Sequence, residues 1–131
     1  MRDVRGISTR FVRFGIVGTL GVAVNSTVLF LAHGVAGLPL LLASGLAVEV
    51  AIVHNYLWNE RWTFGAAQFS VARLGKFNLT SIGGMLITLG VLYLLVEHWH
   101  IHYLMANLFG IALATVWNFT LSLLWTWGWE Q

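Results

Sequence analysis

Residues 14–48 read FGIVGTLGVAVNSTVLFLAHGVAGLPLLLASGLAV and contain no Asp, Glu, Lys or Arg. The intervals 77–96 and 98–129 are also free of these four residue types. Each interval can supply at least one membrane span, which needs about 20 predominantly apolar residues. The chain is 58% hydrophobic and 9% charged over 131 residues, so it has too little polar surface to coat a water-soluble core. The sequence therefore predicts a membrane protein.

Breaks in the apolar pattern divide these intervals into helices. The segment HGVAGLP at 33–39 is rich in turn-forming residues and separates the first two helices. The polar interval 59–76 joins the two halves but is too poor in apolar residues for a further domain. We therefore expect an all-α protein with one membrane domain over 1–131. Its four transmembrane helices are predicted at about 14–34, 39–58, 77–96 and 103–125.

The basic residues indicate the orientation. All seven precede the first helix or flank the central loop: Arg2, Arg5, Arg10, Arg13, Arg61, Arg73 and Lys76. By the positive-inside rule, both termini and the central loop face the cytoplasm, and the protein belongs in the cytoplasmic (inner) membrane. The net charge of +2 reflects this bias and does not indicate nucleic-acid binding. A cleaved secretory signal is the alternative interpretation of the Arg-rich start, but the apolar run continues without a small-x-small cleavage site.

The two halves are related by one ungapped offset of 63 residues. It pairs Phe14 with Phe77, Gly21 with Gly84, Ala43 with Ala106, Asn55 with Asn118, Trp62 with Trp125 and Thr63 with Thr126. The repeats span about 10–65 and 73–128. Because each contains two spans, both begin and end on the same side, which predicts two tandem two-helix repeats in parallel orientation.

Small and polar residues share one face of each helix at this offset. Lipid tails are as apolar as Leu, so helices associate through close backbone approach and interhelical hydrogen bonds. We therefore expect these stripes to form the bundle interior. They are Phe14-Gly18-Gly21-Asn25, Phe77-Ser81-Gly84-Thr88, Ser44-Ala47-Ala51-Asn55-Asn59-Trp62 and Asn107-Gly110-Ala114-Asn118-Ser122-Trp125. The amides of Asn55 and Asn118 either join helices or bind a ligand.

Ionisable groups occur within the spans of one half only. Glu49 is near the middle of the second helix, where an ionised acid costs about 2.5–3.5 kcal/mol on insertion scales. Protonation or a partner must offset that cost, and Asn25 lies at comparable depth. The counterparts of Asn25, Glu49 and His54 are Thr88, Ala112 and Trp117. Glu49 therefore belongs either to a polar cavity or proton-linked switch, or to a structural hydrogen bond.

The segment HNYLWNERWTF at 54–64 closes the second helix at the cytoplasmic interface. Its Tyr and Trp side chains suit the headgroup region, as anchors or as surfaces on which a sugar or isoprenoid stacks. Arg61 either pairs with Glu60 or binds a phosphate.

No arrangement of residues typical of catalysis is present, so we expect no enzyme activity and no cofactor. His98, His100 and His102 alternate in the second outer turn, but an interfacial role suffices for them and we expect no metal. The chain has no cysteine, which excludes disulfides and thiolate ligands.

The chain resembles the GtrA-like family of small four-helix membrane proteins. The resemblance rests on RFVRFGIVG at 10–18, NYLWNERWTF at 55–64, the weaker echo NFTLSLLWTW at 118–127, and Ala106-Asn107. It implies translocation of a polyprenyl-phosphate-linked monosaccharide across the cytoplasmic membrane, for modification of O-antigen or another cell-surface polysaccharide. Where the family's second motif usually has polar or basic residues, this chain has Leu123-Leu124, so a phosphate role is not expected there.

Two functions remain open from the sequence. In the first, Arg61 with Arg13 or Lys76 holds the phosphate, and Asn25, Glu49, His54 and Asn55 offer a polar path for the sugar, with Trp62 and Asn118 as further contacts. In the second, the protein does not transport but scaffolds or regulates a membrane glycosyltransferase. Expected partners are the lipid-linked sugar, membrane lipids and a glycosyltransferase. The small volume enclosed by four short helices also favours a homodimer.

Overall fold

The computed structural model describes residues 4–66 and 68–128. Four α-helices are present in these residues, and no strand: α1 (Val4–Leu29), α2 (Leu40–Trp58), α3 (Val71–Glu97) and α4 (Tyr103–Leu121). Three of them continue as wider π-helical segments at Phe30–Val35, Asn59–Thr63 and Ser122–Thr126. All four helices are long and apolar enough to cross a membrane. The predicted all-α membrane fold with four transmembrane helices is confirmed.

The helices form two compact units, each a helical hairpin. The first unit contains α1 and α2, and the second contains α3 and α4. In each unit, large apolar side chains cover the exposed helix faces, as expected for surfaces in contact with lipid tails.

The second helices of the two units have matching bounds. Leu40 and Tyr103 begin them, and Thr63 and Thr126 end their π segments, so both bounds differ by the 63 residues of the sequence repeat. Beyond each π segment stands a glycine at positive φ, Gly65 at 61° and Gly128 at 73°. This correspondence supports a tandem repeat. The repeat, its parallel orientation and the single membrane domain stay predictions.

Small residues bring the two helices of each hairpin together. Ala43, Ala47 and Ala51 are buried on α2, and Ala106, Gly110 and Ala114 are buried at the matching positions of α4. The Asn55 amide occupies the space where a Cβ of Gly21 would lie, and the Asn118 amide does the same at Gly84. In the second hairpin, the Thr88 hydroxyl also donates to the Gly110 carbonyl at 3.3 Å. Close approach at small residues thus determines which helix faces are buried.

The π segments change which side chains face inward. Trp62 and Trp125 are 38% and 45% exposed, so their predicted place in the interior is wrong. The next residues, Thr63 and Thr126, are buried instead. A π helix bonds each N–H to the fifth preceding carbonyl, so its turn is wider than that of an α-helix. Counted from the buried Asn59, the fourth residue, Thr63, therefore stays on the buried face, and the third, Trp62, is rotated away.

The first and third helices begin earlier than predicted. The expected starts at 14 and 77 follow the charge-free segments, whereas α1 begins at Val4 and α3 at Val71. Ser70 caps α3 by accepting a hydrogen bond from the Arg73 amide at 3.2 Å. Hydropathy marks only the part of a helix that lies in the lipid, so it misses turns that carry arginines at the interface. Arg2 lies outside the described residues.

Candidate functional site

Arg13 is held against the end of the second helix of its own hairpin. Its Nη1 donates a hydrogen bond to the Trp62 carbonyl at 3.0 Å. Its guanidinium carbon lies 5.3 Å from the centre of the Trp62 ring. A guanidinium that stacks on an aromatic face keeps its N–H edge free to bind an anion. Arg13 is therefore both fixed in place and able to donate further hydrogen bonds.

Arg10, one turn earlier on α1, stacks in the same way. Its guanidinium carbon lies 5.7 Å from the centre of the Phe64 ring. Both arginines line an open groove of about 460 Å³. The complete lining is Gly6, Thr9, Arg10, Arg13, Trp62, Thr63, Phe64 and Gly65. Two cations on aromatic supports, with the Thr9 hydroxyl beside them, form a site suited to an anion such as a phosphate.

The groove continues along the hairpin into apolar surface. A hollow of about 410 Å³ adjoins it through Arg13 and Trp62 and is also lined by Ser8, Val12 and Ile16. Next comes a hollow of about 230 Å³, which is lined by aliphatic and aromatic side chains: Ile16, Val17, Leu20, Trp58 and Trp62. From Arg10 to Leu20 the rise along α1 is about 15 Å. The surface therefore changes from cationic to apolar along one helix.

The π segment that carries Trp62 is fixed by buried hydrogen bonds. The Thr63 hydroxyl donates to Asn59 Oδ1 at 2.6 Å, and the Tyr56 hydroxyl donates to Glu60 Oε2. The Phe64 amide donates to the Asn59 carbonyl at 2.9 Å, the i to i+5 bond of a π helix. Tyr56 and Asn59 are at most 1% exposed, and Glu60 is 3% exposed.

The second unit repeats only part of this arrangement. Lys76 lies 5.4 Å from the Trp125 ring, as Arg13 lies over Trp62. However, Phe119 and Leu123 replace the buried Tyr56 and Glu60. Among the described residues, three polar atoms of this unit are buried without a hydrogen-bond partner, Asn118 Oδ1, Ser122 Oγ and Thr126 Oγ1, against one in the first unit, Asn59 Nδ2. The charged and hydrogen-bonded version of the turn thus belongs to the first unit.

The structure brings some of the predicted site residues together. Arg13 and Trp62 are in direct contact, and His54 Nδ1 lies 3.1 Å from Asn55 Oδ1. The His54 ring also approaches the Trp58 ring, with their centres 6.4 Å apart. The roles of these residues in binding stay predictions.

Other predicted residues lie elsewhere on their helices. Glu49 is on the exposed face of α2, away from its buried alanine stripe, and Arg61 is also exposed. Asn25 is half-buried on α1. Lys76 and Asn118 belong to the second unit. The polar path through Asn25, Glu49, His54 and Asn55 stays a prediction.

The sequence interpretation missed Arg10 and Phe64 as partners, and it missed the Tyr56–Glu60 pair. A signal for Arg10 was present, because Arg10 and Arg13 are three residues apart and residues at that spacing share a helix face. The Tyr56–Glu60 spacing of four residues carries the same information. Each spacing is informative only if α1 begins before residue 14 and the second helix of the hairpin continues past residue 58.

The histidines between α3 and α4 make local contacts. His102 Nδ1 accepts a hydrogen bond from the Leu104 amide at 3.2 Å and caps α4, and its ring stacks on Tyr103 at 4.6 Å. Among the described residues, no group of three or more His, Cys, Asp or Glu side chains could hold a metal ion.

Comparison with known families decides where the chain belongs. A family model described as "GtrA/DPMS, transmembrane domain" matches residues 13–127. The chain belongs to this family. The GtrA-like resemblance expected from the sequence is confirmed.

The GtrA/DPMS chain is also similar to a curated protein. It is 37% identical over 107 residues to a dolichol-phosphate mannosyltransferase of Pyrococcus furiosus. The match covers 80% of this chain and 30% of that relative. The chain therefore spans less than a third of the relative's length, and the activity named there describes the relative as a whole.

Proposed function

We propose that the protein translocates a polyprenyl-phosphate-linked monosaccharide across the cytoplasmic membrane, to supply cell-surface polysaccharide modification. Membership of the GtrA/DPMS transmembrane-domain family supports a polyprenyl-phosphate sugar as ligand. The name of the mannosyltransferase relative refers to the same two chemical groups, a sugar and a long-chain isoprenoid phosphate. The observation that carries the proposal is the groove in which Arg10 and Arg13 stand on aromatic rings.

In this proposal the phosphate binds the N–H edges of Arg10 and Arg13. Bidentate guanidinium contacts favour phosphate over a neutral headgroup. Thr9 lines the same groove and offers a hydroxyl, whereas the Thr63 hydroxyl donates its proton to Asn59. Arg61, which is exposed next to Trp62 in the sequence, adds positive charge to the same helix end.

The prenyl chain extends from the phosphate along the apolar hollow beside Ile16, Leu20 and Trp58. This direction follows from the order of the surfaces, because the cationic groove and the apolar hollow share the ring of Trp62. Burying a chain there removes apolar surface from both partners. The sugar, on the far side of the phosphate, is then free to move along the hairpin.

A second function is supported by the comparison. Because 30% of a mannosyltransferase matches this chain, the domain can instead serve as the membrane part of a glycosyltransferase assembly. In that case the groove presents the lipid phosphate to the partner enzyme and moves nothing across the membrane. In both functions the chain itself is not an enzyme, and a second copy is a further partner to test.

Reconstitution separates the two functions. Purified protein is placed in liposomes that contain polyprenyl-phosphate-glucose with a short prenyl chain, and leaflet exchange is followed by the reaction of externally accessible sugar. Translocation predicts complete reaction of the lipid pool, whereas a scaffold leaves the inner-leaflet half unreacted. Liposomes without protein set the background, and an ordinary fluorescent phosphatidylcholine reports unspecific scrambling.

A further inference from the structure

Trp58 forms an aromatic wall of the apolar hollow that adjoins the arginine groove. Its side chain is 51% exposed and lines the hollow with Ile16, Leu20 and Trp62, among others. The hollow begins close to the groove, because Ile16 follows Arg13 by three residues, a rise of about 5 Å along α1. A chain attached to a phosphate at Arg13 therefore meets the hollow with its first isoprene units.

A bilayer removes the usual reason for an apolar hollow to attract an apolar chain. Lipid tails are as apolar as an isoprenoid, so they cover this surface equally well when no prenyl chain is bound. The hydrophobic effect therefore gives no preference for one chain over another. Any preference must come from contacts that a saturated tail makes less well.

The indole rings of Trp58 and Trp62 can provide such contacts, because an aromatic ring has a flat face of negative potential. Each isoprene unit has a double bond whose substituents lie in one plane, and a saturated chain has no flat unit of this kind. The Trp62 ring already supports Arg13, so Trp58 is the indole whose contacts can serve the chain. The ring of His54 lies beside it, with the two ring planes inclined by 57°.

The second unit is built differently at the matching positions. The counterparts of Trp58 and Leu20 at the 63-residue offset are Leu121 and Gly83. A Cβ at Gly83 would lie 2.8 Å from Nε1 of Trp117, which donates a hydrogen bond to the α3 backbone at 3.0 Å. The second unit is therefore packed at this position, whereas the first unit is open and has an exposed indole beside its arginines.

We propose that Trp58 makes the site selective for an unsaturated isoprenoid chain over a saturated chain of the same length, because its ring stacks on the first isoprene units. This inference rests on the proposed function, since the phosphate at Arg10 and Arg13 is what places the chain in the hollow. The arginines contribute to the affinity for every alkyl phosphate, and Trp58 contributes the difference between chains. Anchoring in the headgroup region, the alternative role of an exposed tryptophan, gives no such difference.

The test compares three phosphates that bind to the full chain in nanodiscs. Farnesyl phosphate has double bonds and methyl branches, its fully hydrogenated analogue keeps only the branches, and dodecyl phosphate has the same main-chain length with neither. Empty nanodiscs give the partition of each phosphate into lipid, and all affinities are corrected for it. The parent should bind farnesyl phosphate about two- to tenfold more tightly than either saturated phosphate, the range that corresponds to one aromatic contact.

Two substitutions of Trp58 separate ring stacking from packing. Trp58→Leu copies the residue of the second unit and should abolish the preference, whereas Trp58→Phe retains a smaller aromatic face and should keep part of it. Both variants should bind dodecyl phosphate as the parent does, because the arginines are unchanged. Trp99→Leu removes another exposed tryptophan, between α3 and α4, and is the control for anchoring that should leave the preference unchanged.

The results that would contradict the inference are distinct. Equal losses of affinity for farnesyl and dodecyl phosphate in Trp58→Leu, or an unchanged preference, would exclude selectivity through Trp58. Equal binding of all three phosphates by the parent would do the same, and tight binding of the hydrogenated analogue would assign the preference to the methyl branches. Each of these results leaves the arginine groove as the phosphate site. No binding of any of the three by the parent would overturn that site, and the inference with it.

Discussion

Arg13 is the residue on which the proposed phosphate site depends most. Its contacts with the carbonyl and with the ring of Trp62 require an arginine, because a guanidinium is planar and can donate hydrogen bonds along one edge while its face stacks on a ring. A lysine at this position keeps the charge but not the two-sided geometry. The second unit, with Lys76 over Trp125, provides a natural example of that simpler contact.

Replacing Arg13 should weaken phosphate binding in a graded way. We expect Arg13→Ala to lower the affinity for farnesyl phosphate about tenfold or more, because a hydrogen bond to a charged group contributes about 1.5–3 kcal/mol. Arg13→Lys should fall between Ala and the parent. Arg61→Ala should have a smaller effect, because Arg61 is exposed and does not line the groove. Titration calorimetry on the purified variants gives the order, and a larger loss for Arg61→Ala than for Arg13→Ala would shift the site to Arg61.

Gly21 is the residue that permits the closest contact in the first hairpin. A Cβ at Gly21 would lie 2.7 Å from Asn55 Nδ2, so the amide must move and release its contact with His54. We expect Gly21→Ala to lower the free energy of unfolding by about 1–2 kcal/mol, as overpacking does elsewhere.

Two comparisons make this prediction specific. Gly18→Ala adds a methyl where no heavy atom lies within 4 Å, so it should be neutral or slightly stabilising. In an Asn55→Ala background, Gly21→Ala should no longer be destabilising. Denaturation in detergent provides the measurement, and equal destabilisation by the two glycine substitutions would argue against the Gly21–Asn55 contact.

At the scale of the elements, the sequence predicted the number and order of helices but not their ends. Charge-free segments identify α1 to α4, because a charged residue in lipid is costly whatever the neighbouring helix does. The π segments leave no such pattern, since the predicted stripes assume α-helical spacing throughout. The sequence therefore placed Trp62 in the interior and overlooked the groove that an exposed Trp62 forms with Arg10 and Arg13.

The π segments Asn59–Thr63 and Ser122–Thr126 end in the same way, which allows a matched pair of substitutions. Gly65 and Gly128 have φ values of 61° and 73°, where a Cβ costs about 1–2 kcal/mol. We expect Gly65→Ala and Gly128→Ala to lower the melting temperature by similar amounts. Gly65→Ala alone should also weaken farnesyl phosphate binding, because Gly65 lines the arginine groove. Equal losses of affinity in the two variants would show that farnesyl phosphate binding does not depend specifically on the groove of the first unit.

At the scale of the whole molecule, the sequence also predicts which side of the membrane each turn faces. The chain has no cysteine, so single cysteines report accessibility without background. Ala36→Cys, in the exposed turn before α2, should react with a membrane-impermeant maleimide added to intact cells. Ala66→Cys, beyond the arginine-bearing end of the first hairpin, should react only after permeabilisation. The reverse pattern would invert the predicted orientation.

Function at this scale depends on more than the fold. A four-helix membrane protein can carry lipids, scaffold an enzyme or do neither, and only a particular site separates these functions. Here the proposed binding of a lipid phosphate rests on two stacked arginines and the apolar hollow that adjoins them, and leaflet exchange separates translocation from scaffolding. The sequence contained both arginines, but their common groove required the structure.

The most direct measurement is leaflet exchange of short-chain polyprenyl-phosphate-glucose in liposomes, comparing the parent with an Arg10→Ala, Arg13→Ala double variant reconstituted at the same density. Translocation through the arginine groove predicts that the parent exposes the entire lipid pool, and that the double variant slows this exchange at least tenfold while leaving background phosphatidylcholine exchange unchanged. Exchange at the parent rate by the double variant, or no exchange by the parent, would contradict translocation through the arginine groove.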